Sequence, residues 1–233
     1  MYSNLHVIIY LFNNTRIFPF MGKDTNLLRD KAYRELKRAI VTGEYGSNSV
    51  LYESAISKTL GTSRTPVREA LMRLTEEGLV KNLPNHGYLV TAITIKEIEE
   101  IFELRLCLEK YVIETALNND IPINLEEMER QIEEQEKALA EEDFWASFEA
   151  DHYFHIALIS IIDNGTLINL MRGLKDKPIQ SGYRSLRRGG KQSEAILEHK
   201  EIVAALRNGD KKSALAALMK HITNAKNRTL GIA

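Results

Sequence analysis

Apolar residues in the first part of the chain recur at helical spacing in three successive segments. DKAYRELKRAI (residues 30–40) carries Ala32, Leu36 and Ile40 on one stripe, the pattern of a helix with one buried face. Gly43 and Gly46 bracket its exit, where the chain must stop and turn. A short helix is predicted from Glu53 to Leu60, with Ala55, Ile56 and Leu60 as its apolar positions, and Gly61 supplies the next turn. The third helix starts at Ser63 and places Val67, Leu71 and Leu74 on a core-facing side. After Gly78 the period changes from helical to extended. LVKNL (79–83) and YLVTA (88–92) flank PNHG and predict a β-hairpin. Helix, short helix, Gly-containing turn, helix and hairpin make a winged helix-turn-helix.

From Thr94 onward the pattern is helical throughout. Thr94 caps a long helix with Ile98, Ile101, Leu104/Arg105, Leu108 and Val112 at helical spacing, ended by 118–122. Further helices are predicted over about 124–142, about 144–163, from about 167, about 193–207 and about 210–228, with a loop around Gly189–Gly190. About six helices without a sheet predict a bundle. The fold class is therefore mainly α: an N-terminal winged helix-turn-helix with a small β-hairpin wing, over 23–93, and a C-terminal all-α bundle over 94–233. Residues 1–22 fit neither unit. LHVIIYLF (5–12) is too short to span a bilayer and has neither the positive start nor the cleavage site of a signal peptide. The expectation is a poorly ordered extension, carrying His6 with it, and no membrane association.

Composition changes this picture only modestly. The net charge of the 233 residues is −1, but it is unevenly spread. Residues 22–93 hold 11 Lys+Arg against 8 Asp+Glu, whereas 94–233 hold 19 against 24. A mildly basic first unit beside an acidic second one suits a nucleic-acid binder joined to a sensor. The single Cys107 excludes an internal disulfide, fits a reducing cytoplasm, and is read as a core residue of the long helix.

Candidate chemistry lies at two places. In LGTSRTPVREAL (60–71), Ser63 is placed to cap the third helix and Pro66 is tolerated in its first turn. Arg64 and Arg68 are four residues apart and project from one face, opposite the buried stripe. Two guanidinium forks side by side match phosphates and guanine edges, although a merely solvated surface helix carries the same pattern. His86 and Gly87, at the hairpin tip, could approach an adjacent minor groove. In the bundle, Asp151 and His155 lie one helical turn apart, and His199 and His221 sit on inward stripes of two later helices. Imidazole and carboxylate together suit a divalent transition metal: Zn, Ni, Mn or Fe. His152 points about 100° away from Asp151 around the helix and is left out of this set.

Residues 27–92, and TSRTPVREAL above all, resemble the winged helix of the GntR superfamily of bacterial transcription regulators. That resemblance implies that Arg64 and Arg68 read operator bases, with Ser63, Thr65 and the His86–Gly87 wing assisting. Some members carry a further arginine early in the second helix, where this chain has Ser54. DHYFH (151–155), EHKEIVAAL with GD at 209–210, and MKHI (219–222) are similar to the FCD ligand-sensing domain of the FadR-type branch. This similarity, which with the winged helix covers roughly 27–229, implies a metal held by Asp151, His155, His199 and His221. It leaves coordination positions open to water or an effector carboxylate, with Arg105 and Arg184 as partners for the effector's anionic end. Arg105 is equally suited to pairing with a carboxylate of the bundle. The function implied is a cytoplasmic, homodimeric regulator, its binding to inverted-repeat double-stranded DNA controlled by a small organic acid. The branch resemblance implies a hydroxy acid, sugar acid or dicarboxylate, and the metal ligands argue against an acyl-CoA. The alternative is a metal-dependent hydrolase or lyase that uses the three-His, one-Asp site to activate water.

Overall fold

The computed structural model describes residues 23–174 and 192–232. Arg184, the Gly189–Gly190 loop and residues 1–22 lie outside the described residues. The first unit contains α1 (Lys23–Thr42), β1 (Val50–Leu51), α2 (Glu53–Thr59), α3 (Arg64–Glu76), β2 (Val80–Leu83) and β3 (Gly87–Val90). The second contains α4 (Ile95–Asn118), α5 (Glu126–Ala140), α6 (Phe144–Ser160), α7 (Gly165–Leu174), α8 (Gln192–Arg207) and α9 (Lys211–Leu230).

The three helices of the first unit close on a core of Leu36, Ile40, Ile56, Val67, Leu71 and Leu74, covered by Val80, Tyr88 and Val90 of the sheet. The stripes at 32/36/40 and 67/71/74 are thus buried as their spacing requires. Four local features differ from the sequence-based expectation. The first helix begins well before residue 30, at Lys23. In α2, Ala55 is exposed and Ser57 buried, its hydroxyl bonded to the Ser54 carbonyl at 3.1 Å, so a small polar residue takes an inward position once its hydrogen bond is made locally. Ser63 occupies the N-cap position of α3 with extended backbone, but its side chain makes no capping bond. The hairpin is joined by a third strand: β1 pairs antiparallel with β3, Val50 opposite Leu89, giving the order β1-β3-β2. Two residues are too short a run to show any period, which is why the pattern misses β1.

The wing glycine has a steric reason. Gly87 has φ +87°, and a Cβ there would lie 2.4 Å from the Leu51 carbonyl oxygen of β1. Only glycine tolerates both that conformation and that approach.

Thr94 starts α4 with a reciprocal cap: its Oγ1 accepts from Glu97 N at 3.2 Å, and its own N–H donates to Glu97 Oε2 at 2.9 Å. The bundle core joins Ile98, Val112 and Ile113 of α4, Met128 and Ile132 of α5, Phe154, Leu158 and Ile159 of α6, Ile202 and Val203 of α8, and Leu218 and Ile222 of α9. Cys107 is exposed, not in this core. It falls between the buried stripe of Leu108, Val112 and Ala116 and the outer face of α4, so apolar neighbours in sequence did not place it inside. Between the two cores, Val41 at the end of α1 packs against Phe144, Trp145 and Phe148 at the start of α6.

Candidate metal centre and nucleic-acid interface

α6 is wedged between α5 and α4 and turns both Asp151 and His155 toward the bundle interior. α8 supplies His199 and α9 supplies His221. The three imidazoles are essentially inaccessible, at 0–1 % exposure, while Asp151 is half-buried. One ligand atom from each of the four residues lies within 4.8 Å of all the others. His221 Nε2 is 3.2 Å from His155 Nε2 and 3.3 Å from His199 Nε2, and His199 Nε2 is 3.6 Å from Asp151 Oδ1. Ligand atoms about 2.1 Å from one shared ion stand roughly 3.0–3.4 Å apart, so these spacings fit a single divalent ion.

The other ring nitrogen of each histidine is already committed. His155 Nδ1 lies 2.8 Å from Glu109 Oε2, His221 Nδ1 lies 2.9 Å from Glu198 Oε2, and His199 Nδ1 lies 3.1 Å from Gln135 Oε1. These acceptors require Nδ1 to carry the proton, which assigns the lone pair to Nε2. Three lone pairs then face one another across about 3.2 Å. A cation shared at the centre would satisfy all three. Burial, reinforced by the neighbouring His221 and His155, holds His199 well below the usual histidine pKa. His221 is likewise lowered by burial, against the opposing effect of the hydrogen bond it donates to Glu198. Neutral rings are what metal ligation needs.

Buried carboxylates complete the arrangement. Burial of Glu109 works to raise its pKa, but His155 and Arg105 outweigh it and hold the group below the ordinary carboxylate value. Glu198 is lowered in the same way by His221, Arg228 and Asn224 against its burial. Arg228 reaches it through Nη2 to Oε2 at 2.8 Å and Nη1 to Oε1 at 3.1 Å. Arg105 takes the bundle-carboxylate role first, its Nε 3.2 Å from Glu109 Oε1, yet its Nη2 is buried without a hydrogen-bond partner. One guanidinium thus braces Glu109, and through it His155, while retaining an unused donor.

Sequence reasoning named the four converging residues and Arg105 but missed Glu109, Gln135 and Glu198. A signal exists for two of them. Glu109 interrupts the buried stripe of Leu108, Val112 and Ile113, and Gln135 does the same beside Ile132 and Ala138. A charged or amide residue on an apolar stripe needs a buried partner.

At the opposite end, Ser63, Arg64, Thr65, Arg68 and His86 are exposed and Gly87 is half-buried beneath the wing tip. Arg64 makes no ion pair among the described residues. Arg68 does: its guanidinium is forked onto Glu53 of α2, Nε to Oε1 and Nη2 to Oε2, both at 2.8 Å. Sequence reasoning also missed this pair, because residues 15 apart share no helix face.

Residues 28–90 match the family model of bacterial regulatory proteins of the gntR family, and residues 100–224 match the FCD domain. The chain is 30 % identical to the HTH-type transcriptional regulator YdhC of Bacillus subtilis over 82 % of this chain and 86 % of that protein. It is 27 % identical to the gluconate operon transcriptional repressor of the same organism, over 83 % and 82 %. A GntR transcriptional regulator from Rhodococcus sp. RHA1 has the same fold, with a TM-score of 0.73 at 24 % identity, over 88 % of this chain and 98 % of that one. These relatives are regulators, which removes the hydrolase or lyase alternative. No described helix is long and apolar enough to cross a membrane. The chain is a transcriptional regulator of the GntR family with a C-terminal FCD domain.

Proposed function

We propose that this regulator binds operator DNA through α3 and the wing, and that a small organic acid, bound beside a divalent metal in the FCD bundle, controls that binding. The observation that carries the sensing half is the convergence of three Nε2 atoms and one carboxylate oxygen, with every Nδ1 already engaged. Asp151, His155, His199 and His221 hold the ion. When bound, Zn, Ni, Mn or Fe supplies a Lewis-acidic site that accepts a carboxylate or hydroxyl oxygen. The idle Nη2 of Arg105 supports a role in receiving the effector's anionic end. Similarity to a gluconate operon repressor favours a sugar acid within the class of hydroxy and dicarboxylic acids.

Arg64 and Arg68 contact bases, Ser63 and Thr65 contact the backbone at the start of α3, and His86–Gly87 enters the neighbouring groove. A homodimer presents two such modules to an inverted repeat. An exposed stripe on α4, Leu104, Cys107 and Tyr111, supports that helix as the seam. Communication runs along α6. Its middle carries Asp151 and His155, and its first turns, Phe144, Trp145 and Phe148, press on Val41 of α1. A ligand that prefers one setting of α6 thereby biases the position of the DNA-binding unit.

The test is a fluorescence-anisotropy titration of the full-length, metal-loaded protein on a duplex enriched by that protein from a random-sequence pool. The expected result is a shift in affinity with at least one acid from a panel of sugar acids, hydroxy acids and dicarboxylates. Affinity independent of every acid, with metal present, would leave a constitutive DNA-binding protein with a structural ion.

A further inference from the structure

Arg64 and Arg68 of α3 differ in one respect: Arg68 makes an ion pair with a carboxylate and Arg64 makes none among the described residues. Glu53 is the first residue of α2, where the unpaired backbone N–H groups favour a negative charge. Its side chain is 21 % exposed against 59 % for Arg68, so the carboxylate is the anchored member of the pair. Arg68 in turn is the largest of the influences that hold Glu53 below its ordinary pKa. Tyr88 of β3 stands at the same joint, buried against the core and close enough to feel both charges. Glu53 of α2 therefore fixes one guanidinium of α3, beside Tyr88 of β3.

The fork leaves a defined remainder. A guanidinium has five N–H donors. Nε–H and one Nη2–H go to Glu53, which leaves three donors, of which the second Nη2–H and one Nη1–H lie parallel on the outer edge. Two parallel donors on that edge match O6 and N7 of guanine. The carboxylate behind them has a further effect. It cancels the charge of Arg68 as seen by a phosphate, and it repels one that comes close. An arginine held this way loses little rotamer freedom on binding.

We propose that Glu53 is a specificity-determining residue, which orients Arg68 toward a guanine edge and keeps it off the phosphate backbone. The inference rests on α3 being the base-reading helix. A carboxylate beside the recognition arginine thus costs the protein non-specific affinity and gains base discrimination.

The experiment compares full-length wild type, Glu53→Gln, Glu53→Asp and Arg68→Ala. Two probes are used: the duplex enriched by wild type from a random-sequence pool, together with its single-base-pair variants, and a random duplex of the same length. Glu53→Gln should lower discrimination about tenfold at the base pair to which Arg68→Ala becomes indifferent. On the random duplex it should bind more tightly, with the slope of log K against log salt steeper by about 0.9, the value for one added phosphate contact. Glu53→Asp keeps the charge with a shorter reach, so it should keep the wild-type slope and lose part of the discrimination. Unchanged discrimination and slope in Glu53→Gln would overturn the proposal. So would equal weakening on both probes with a lowered melting temperature, the signature of a mere brace. Failures are separable: if Arg68→Ala retains every base preference, the assignment of α3 falls. If Arg68→Ala erases one that Glu53→Gln retains, only the role of Glu53 falls.

Discussion

The two ends of this molecule handle charge in opposite ways. At α3 the charged groups stand in solvent: Arg68 is exposed and meets Glu53 at the surface, where ion pairs add little to stability and much to orientation. At the metal centre the groups are inside. Glu109 is wholly buried, Glu198 nearly so, and each is held by a histidine and an arginine. Buried charge is tolerated only where it is paired, so these carboxylates, histidines and arginines stand or fall together as one network. The difference implies a division of labour. The DNA-facing end should tolerate substitution in its fold and lose only recognition, whereas the inner end should couple ligand, protonation and stability.

The sharpest break of that contrast is His199→Ala. It should reduce metal affinity by more than the roughly 10–100-fold cost of losing a supporting group, as read by metal analysis after dialysis. DNA binding by α3 should survive in the same variant, and wild-type metal content would remove His199 from the site. Next come Arg64→Ala and Arg68→Ala, each expected to weaken binding to the selected duplex by about tenfold to a hundredfold. Metal content and melting temperature should not move. A fall in melting temperature would mean that the arginines serve the fold. Glu109→Gln is isosteric and keeps an acceptor near His155, but removes the charge that stabilises the ligand set. A loss of about tenfold or more in metal affinity is expected, checked by competition with a chelator.

The smallest effect is one of pH. Burial holds His199 and His221 below the usual value of 6.5, so the folded state prefers them neutral while the unfolded chain takes up protons there. Their contribution is present above about 6.5 and is lost as pH falls below it. Chelator-treated protein should therefore lose several degrees of melting temperature across that range, at roughly 2–4 °C per kcal/mol. The Glu53–Arg68 pair occupies a different window. The Glu53 pKa is lowered by Arg68, so its contribution persists until pH drops below the ordinary carboxylate value. Melting curves flat between pH 8 and about 5 would contradict the buried, neutral imidazoles.

What the sequence disclosed follows from how far apart the informative residues lie. Ser63 to Leu74 is a contiguous segment, so its helical stripe and paired arginines could be read directly. The convergence of Asp151, His155, His199 and His221 could be anticipated because each sits on an inward helical stripe within a segment that resembles a known domain. Their supporting groups were not, since Glu109 and His155 are 46 residues apart and Gln135 and His199 are 64 apart. Only tertiary packing brings them together. The same holds for β1, which exists because Val50 and Leu51 find β3, and for the Glu53–Arg68 fork. The exposed Cys107 errs in the other direction: an apolar neighbourhood in sequence straddled two faces of one helix.

In the proposed function, an acid bound at the metal controls grip on DNA. That control is tested most directly by operator-duplex affinity measured for wild type and His199→Ala across one panel of sugar acids, both proteins equilibrated with the same divalent metal. A shift of about 5–150-fold is expected with at least one acid in wild type and none in the variant. An identical response in both proteins, or no response in either, would contradict it.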